Sequence, residues 1–324
     1  MVHAIRVHSP GGPESLAYEK ITLPAPGPGE VLIRHTAIGL NFIDVYHRTG
    51  LYPLPAPFTP GMEAAGVIEA LGPGVTNFKT GDRVAYASGP VGAYAQKRVM
   101  PATRIVRLPD SISDEQAAAV MLKGLTAEYL LRRTYKVQKG DAILIHAAAG
   151  GVGLIAGQWT KHLGATVIGT VSSAEKAALA KANGYDHVIN YKNDDFAKRV
   201  REITNGRGVA VVYDSVGKTT FEASLDCLQR RGMMVSFGNA SGPVPAFDPL
   251  LLSKKGSLFF TRPSMMDYTI DDAEYAQAAQ TLFDVMEKGI VKITINQRYA
   301  LKDAAQAHKD LEARKTTGSS ILIP

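Results

Sequence analysis

At 324 residues the chain is long enough for two domains, each with its own core, and its 45% hydrophobic and 20% charged content is globular in proportion. Its 36 basic and 30 acidic residues leave a net +6, but with no long block of like charge and no RNA-binding aromatic signature. A phosphorylated small ligand is therefore favoured, and nucleic-acid binding is possible but not favoured. The apolar runs are too short to span a membrane, the opening MVHAIRVHSPGG lacks an export core, and the lone Cys227 excludes an internal disulfide, so a cytoplasmic protein is expected.

The first part of the chain is rich in Gly and Pro with short β-like runs, which predicts a small irregular barrel or sandwich. Strands are expected at 31–36, 66–70 and 82–86, separated by the turns PGPGE, LGPGV and TGD. Two helical stretches follow, at 114–122 and 125–133.

The pattern then changes to strand alternating with helix. Strands are predicted at 142–145, 166–171, 187–190, 209–213, 232–237 and 257–261. Helices at 154–163, 174–183, 194–203 and 218–228 lie between them. Six strands with helical crossovers make a doubly wound parallel sheet, the Rossmann form of an α/β fold. After position 262 the alternation stops; an amphipathic helix at 274–288, another within 300–314 and a terminal strand-like SSILIP remain. The expected division is 1–124, 125–262 and 263–324, with the last segment rejoining the first.

The segment DAILIHAAAGGVG at 141–153 carries the chemistry. Ala142 to Ile145 are apolar without alternation, as in a central strand covered on both faces. Gly150, Gly151, Val152 and Gly153 then form a turn that opens a helix, where backbone N–H groups receive a dinucleotide pyrophosphate. Ala148 stands where the common fingerprint has its first glycine, so the match to that fingerprint is imperfect.

An NAD pocket places an acid after the second strand, against the ribose 2′-hydroxyl. Here that strand ends in Ser172, Ser173 and, after Glu175, Lys176. Two hydroxyls and a cation suit a 2′-phosphate, so NADPH is the expected cofactor, with Glu175 turned outward.

With these pieces placed, the chain resembles the zinc-free quinone oxidoreductase (ζ-crystallin-like) branch of the medium-chain dehydrogenase/reductase superfamily. The resemblance runs through GGPE (11–14), GLNFIDVYHRTGLYP (39–53), GMEAAGVI (61–68), GDRVAY (81–86) and KGLTAEYLLRRTY (123–135). It continues in HAAAGGVG (146–153), VVYDSVG (211–217), LQRRGMMVSFGN (228–239), TRPS (261–264) and LEARKTTGSSILIP (311–324).

The resemblance implies a GroES-like catalytic domain beside the Rossmann domain, a homodimer, and NADPH-dependent reduction of a quinone. For the adenosine end it adds Tyr191 and Arg314. For the path towards the nicotinamide it adds Val216 and the run Phe237, Gly238, Asn239 and Ala240. At the nicotinamide end it implies Asn41, Phe42, Ile43, Asp44, Val45 and Tyr46, with Tyr129, Pro263, Ser264 and Met265.

The zinc-bearing relatives have a histidine where this chain has Met62 and a cysteine at or near Asn41, and their four-cysteine lobe has no counterpart. No metal is expected. Glu63, His35 and His47 are read as ordinary surface or hydrogen-bonded residues.

The acceptor pocket is expected between the domains, with Asn41, Tyr46, Tyr52 and Arg262 as its candidates. A tyrosine ring stacks on a flat acceptor, and a tyrosine hydroxyl or the Asn41 amide donates to its carbonyl oxygen. The plain alternative is that Tyr46 and Tyr52 merely pack within a loop. His146 is expected to steady the glycine turn rather than to catalyse. Reduction of α,β-unsaturated carbonyls is the rival activity, and single-stranded nucleic-acid binding the rival of another class.

Overall fold

The computed structural model describes residues 1–87 and 89–324. They form two compact units: Met1–Leu125, Thr269–Glu287 and Ile293–Pro324 make the first, Thr126–Tyr268 and Lys288–Lys292 the second.

The first unit opens on an antiparallel pair, β1 (Val2–Arg6) and β2 (Ala17–Ile21). The long β3 (Glu30–Leu40) leads directly into α1 (Phe42–Thr49), followed by β4 (Glu63–Leu71), β5 (Arg83–Ala87), β6 (Lys97–Pro101) and β7 (Val106–Arg107). The segment containing α1 looked like a loop because Gly and Pro surround it. The helix forms because Asp44, three residues in, reaches back to the Asn41 N–H at 2.9 Å, and Gly50 ends it in the left-handed region.

Where two helices were expected there is one, α2 (Asp114–Tyr129), which passes into a π-type turn over Leu130–Thr134. Ser113 and Gln116 cap its start reciprocally, each side chain accepting the other's backbone N–H. Gly124, between the two expected stretches, is a packing glycine. A Cβ there would stand 2.5 Å from Leu282 Cδ1.

The second unit is the six-stranded sheet: β8 (Ala142–Ile145), β9 (Thr166–Val171), β10 (His187–Asn190), β11 (Val209–Asp214), β12 (Leu228–Ser236) and β13 (Phe259–Thr261). Every pairing is parallel, in the order β10-β9-β8-β11-β12-β13. The order reverses between β8 and β11, the kind of switch point at which open α/β sheets bind ligands beyond the carboxyl ends of their strands. The crossovers are α3 (Gly151–His162), α4 (Ala174–Lys181), α5 (Phe196–Ile203), α6 (Phe221–Cys227) and α7 (Leu250–Lys254), and α8 (Met265–Tyr268) follows β13. Leu144, Ile168, Ile189, Val212 and Met234 from five of the strands share one buried cluster with Phe221 and Leu225 of α6.

The chain then returns to the first unit through α9 (Asp272–Glu287), β14 (Ile295–Ala300), α10 (Ala304–Glu312) and β15 (Ser319–Ile323). The main sheet runs β14-β15-β3-β4-β5-β7, with β6 paired to β3. Leu301, Ala304, Ala307 and Leu322 from this return are buried in the same core as Ile5, Ile33 and Ile68. No helix among the described residues is long and apolar enough to cross a membrane.

Candidate active site

In the second unit, β8 delivers the chain to the glycine turn. Ala147 takes φ 52°, a left-handed conformation that costs a non-glycine residue on the order of 1 kcal/mol or more. Gly150 is the N-cap of α3. A Cβ on Gly153 would meet the carbonyl oxygens of Ala147 at 2.4 Å and Ala148 at 2.7 Å, so glycine is a steric requirement there. The first N–H groups of α3, from Gly151, Val152 and Gly153, have no carbonyl one turn back, an arrangement suited to receive an anion.

Two side chains hold this turn in place. Tyr185 donates its hydroxyl to the Gly153 carbonyl at 2.6 Å, and its ring fills the space that Cβ atoms on Gly157 and Gly169 would occupy. His146 is buried between Thr170 Oγ1 and Ser224 Oγ, 2.8 Å from each, with its ring edge-on to Phe196. Both ring nitrogens are thus engaged with neighbouring elements, and burial holds its pKa below the usual value. Its surroundings are those of a structural residue.

At the end of β9, Ser173 is the N-cap of α4 and its Oγ accepts the Lys176 N–H at 3.2 Å. A hydroxyl that accepts one N–H can still donate its own hydrogen, so the cap and an anion contact are compatible. Ser172, Ser173 and Lys176 are half-buried, and Glu175 is exposed. Tyr191 follows β10 and donates its N–H to the Val171 carbonyl at 3.1 Å, which brings it beside the same strand end.

The turns after β11 and β12 lie against each other. Asp214 accepts the N–H groups of Val216 and Gly217 at 2.7 and 3.1 Å, and Phe237 donates its N–H to the Asp214 carbonyl at 2.8 Å. Gly238 approaches Ser215 so closely that a Cβ would stand 2.5 Å from the Ser215 carbonyl oxygen. Val216, Phe237 and Asn239 are half-buried there, and Ala240 is exposed. Tyr129 is buried and stacked on Tyr268, their centroids 4.6 Å apart. After β13, Arg262 is exposed and donates to the Pro263 carbonyl at 3.2 Å, Ser264 Oγ accepts the Met266 N–H, and Pro263 and Met265 are buried.

The remaining candidates belong to the first unit. Asn41 is the N-cap of α1, and Tyr46 lies on that helix rather than in a loop. The Tyr52 N–H bonds back to the Tyr46 carbonyl at 3.1 Å, and the two rings meet edge to face at 5.2 Å. Phe42 adds a third ring, 6.3 Å from Tyr46. A helix turns successive side chains by about 100°, so the run 41–46 has no single face. Phe42 and Ile43 are half-buried, whereas Asp44, Val45 and Tyr46 are buried. Arg314 is exposed just beyond α10.

Around Asn41 lies a buried polar network. Asn41 Nδ2 donates to Glu63 Oε2 at 2.7 Å, the Leu122 N–H donates to Glu63 Oε1 at 2.7 Å, and Lys123 Nζ stands 3.5 Å from Glu63 Oε2. Burial pushes the Glu63 carboxyl up, while the Lys123 ammonium and the hydrogen bonds pull it down.

Asp44 Oδ2 accepts from the Tyr94 hydroxyl at 3.0 Å, and Oδ1 is buried without a partner among the described residues. Burial raises Asp44 to about 7. Tyr94 also meets His308 Nε2 at 3.0 Å; His308 Nδ1 lies 3.4 Å from Arg48, whose guanidinium forms a fork to Glu312 at 2.8 and 2.9 Å. Burial and the Arg48 charge hold His308 down to about 3, so it is a neutral link.

This network fell outside the sequence reading. Its one signal was lone charges, Glu63 and Lys123, set in apolar runs that demand buried partners. His35 is likewise buried, bonded to the Ala95 carbonyl and the Tyr86 hydroxyl. The donor set does not fit a zinc ion. Glu63 is occupied by three N–H donors, and no group of three His, Cys, Asp or Glu residues stands together among the described residues.

Residues 27–110 match the family model described as the alcohol dehydrogenase GroES-like domain, and residues 151–284 the one described as zinc-binding dehydrogenase. The chain is 55% identical to a quinone oxidoreductase of Pseudomonas aeruginosa, over 100% of both chains. It is similar to the crystal structure of Escherichia coli quinone oxidoreductase complexed with NADPH, at 50% identity and TM-score 0.98, covering 99% of this chain and 100% of that one. A 2-haloacrylate reductase of Burkholderia sp. is 47% identical over 100% of this chain and 99% of its own. A GroES-like unit, a parallel six-stranded dinucleotide-binding sheet and full-length identity of this order lead to one assignment: the chain belongs to the quinone oxidoreductase branch of the medium-chain dehydrogenase/reductase superfamily, a family of oxidoreductases.

Proposed function

We propose that the protein is an NADPH-dependent quinone reductase that works without a metal. The observation that carries the reading is the end of β9, where Ser172, the helix-capping Ser173 and Lys176 stand in place of the acid that would favour NAD. NADPH, when bound, supplies a hydride to the acceptor. The residues of the second unit bind and orient it: the amides of Gly151, Val152 and Gly153 receive the pyrophosphate, and Ser172, Ser173, Lys176 and Tyr191 the 2′-phosphate and adenosine.

In the first unit, the rings of Tyr46 and Tyr52 offer a wall for a flat acceptor, and Asn41 a polar group beside it. Quinones are intrinsically reactive electron acceptors, so orientation and exclusion of water account for the protein's share of the work. The E. coli relative crystallised with NADPH and the P. aeruginosa quinone oxidoreductase support this reading. A homodimer is part of the proposal; the edge strand β13 carries an exposed Phe259, which a partner copy would cover.

The test is steady-state oxidation of NADPH with 1,4-benzoquinone and 9,10-phenanthrenequinone, set beside short 2-alkenals. Turnover with quinones is expected, and none with any quinone would sink the proposal. A second reading, reduction of a C=C bond conjugated to a carbonyl, is favoured by the 47% identity to the 2-haloacrylate reductase. It predicts that 2-alkenals or 2-haloacrylate outpace the quinones in the same assay.

A further inference from the structure

Asn41 begins α1, and the sequence says nothing about which end of its carboxamide faces inward. The buried surroundings do. Glu63 Oε2 accepts Asn41 Nδ2 at 2.7 Å, and its other oxygen is committed to the Leu122 N–H. The carboxylate has no spare room, since a Cβ on Gly39 would lie 2.1 Å from Glu63 Oε2. Lys123 stands 3.5 Å from that oxygen and also donates to the Leu40 carbonyl at 3.2 Å, one residue before Asn41. Leu122 and Lys123 both present N–H donors to this carboxylate, so it serves as an acceptor and meets the nitrogen end of the amide.

We propose that Glu63 and Lys123 are positioning residues for Asn41, an ion pair that turns the carboxamide nitrogen inward and leaves its oxygen to the Asp44 N–H of the helix cap. The inference deepens the reductase reading and rests on it for the importance of Asn41. The pair does not touch the reactants. It reinforces the orientation that the cap of α1 also favours, and a misplaced polar group in an active site costs rate rather than cofactor binding.

Glu63→Gln alone strands a buried ammonium and is at risk of not folding. The informative variant is therefore the neutral pair Glu63→Gln/Lys123→Met, combined with Asn41→Ala in a double-mutant cycle. In the wild-type background the neutral pair is expected to lower kcat with NADPH and 1,4-benzoquinone by about tenfold or more, with little change in NADPH affinity. In the Asn41→Ala background the same pair should change kcat by less than about twofold. Full multiplication of the two losses would overturn the positioning role.

A second readout needs neither cofactor nor turnover. In the NADPH-free protein labelled with [15N]asparagine, the Asn41 side-chain signal is identified by its loss in Asn41→Ala. It should lie downfield in the wild type and move towards the free-amide position in the neutral pair. An unmoved signal would refute the orienting bond. Absence of quinone turnover in the wild type would instead refute the reductase reading, while the amide signal still judges the orientation.

Discussion

Replacing Asp44 by Asn should remove a pH dependence of stability and leave the architecture intact. Asp44 Oδ2 accepts from the Asn41 N–H and the Tyr94 hydroxyl, roles an asparagine oxygen can take over, while Oδ1 has no partner among the described residues to lose. Burial is the largest influence on this carboxyl and raises it from 3.8 to about 7. Below pH 4 the group is protonated in both folded and unfolded chains and costs nothing. Between 4 and 7 the unfolded chain ionises and the folded one does not, so stability falls by about 1.4 kcal/mol per pH unit. The loss approaches about 4 kcal/mol and is complete above pH 7. The field of the helix N-terminus offsets at most about 1–2 kcal/mol of it. Urea unfolding of wild type and Asp44→Asn across pH 5 to 8 measures this directly. The variant should gain on the wild type steadily up to about pH 7 and then hold its lead. A difference independent of pH would refute the assignment of Asp44 as a carboxyl kept neutral by burial.

Three further outcomes follow from the geometry. Gly153→Ala puts a Cβ 2.4 Å from a backbone oxygen, so the turn must shift; NADPH affinity in a fluorescence titration should fall about tenfold or more, and an unchanged affinity would refute this anion site. Lys176→Glu should weaken NADPH far more than NADH, and an equal loss would show that Lys176 does not read the 2′-phosphate. Gly124→Ala drives a Cβ to 2.5 Å from Leu282 Cδ1; overpacking of about 1–3 kcal/mol should outweigh a helix-propensity gain of about 1 kcal/mol, so the urea midpoint should drop, and a rise would show that Leu282 yields freely.

The parallel sheet was legible because its strands are short apolar runs bounded by turn residues, and local pattern suffices for that. The glycine turn was legible for the same reason, since a strand, three glycines and a helix are contiguous. What was hidden depends on distance along the chain. Asn41 and Glu63 are separated by 22 residues, and Arg48 and Glu312 by 264, so no local window contains either pair. Strand β14 was also missed: INQRYA alternates in burial but is polar in composition, and it is a strand because β15 pairs with it. The helix α1 was obscured by neighbouring Gly and Pro, although its cap was in plain view as an aspartate three residues after an asparagine.

The place of β15 in its sheet bears on the order in which the molecule can assemble. This strand lies between β14 and β3, so the first unit's sheet remains divided until residues 319–323 are made. Nearly all of the second unit, Thr126–Tyr268, has by then left the ribosome and has its six parallel strands complete. The second unit is thus able to fold during synthesis, while the first unit's sheet must wait for residues 319–323, with Ile38, Gly39 and Leu40 of β3 lacking that partner in the meantime. Ribosome-bound chains stalled shortly before residue 319 would hold all six parallel strands of the second unit while the first unit's sheet still lacked β15.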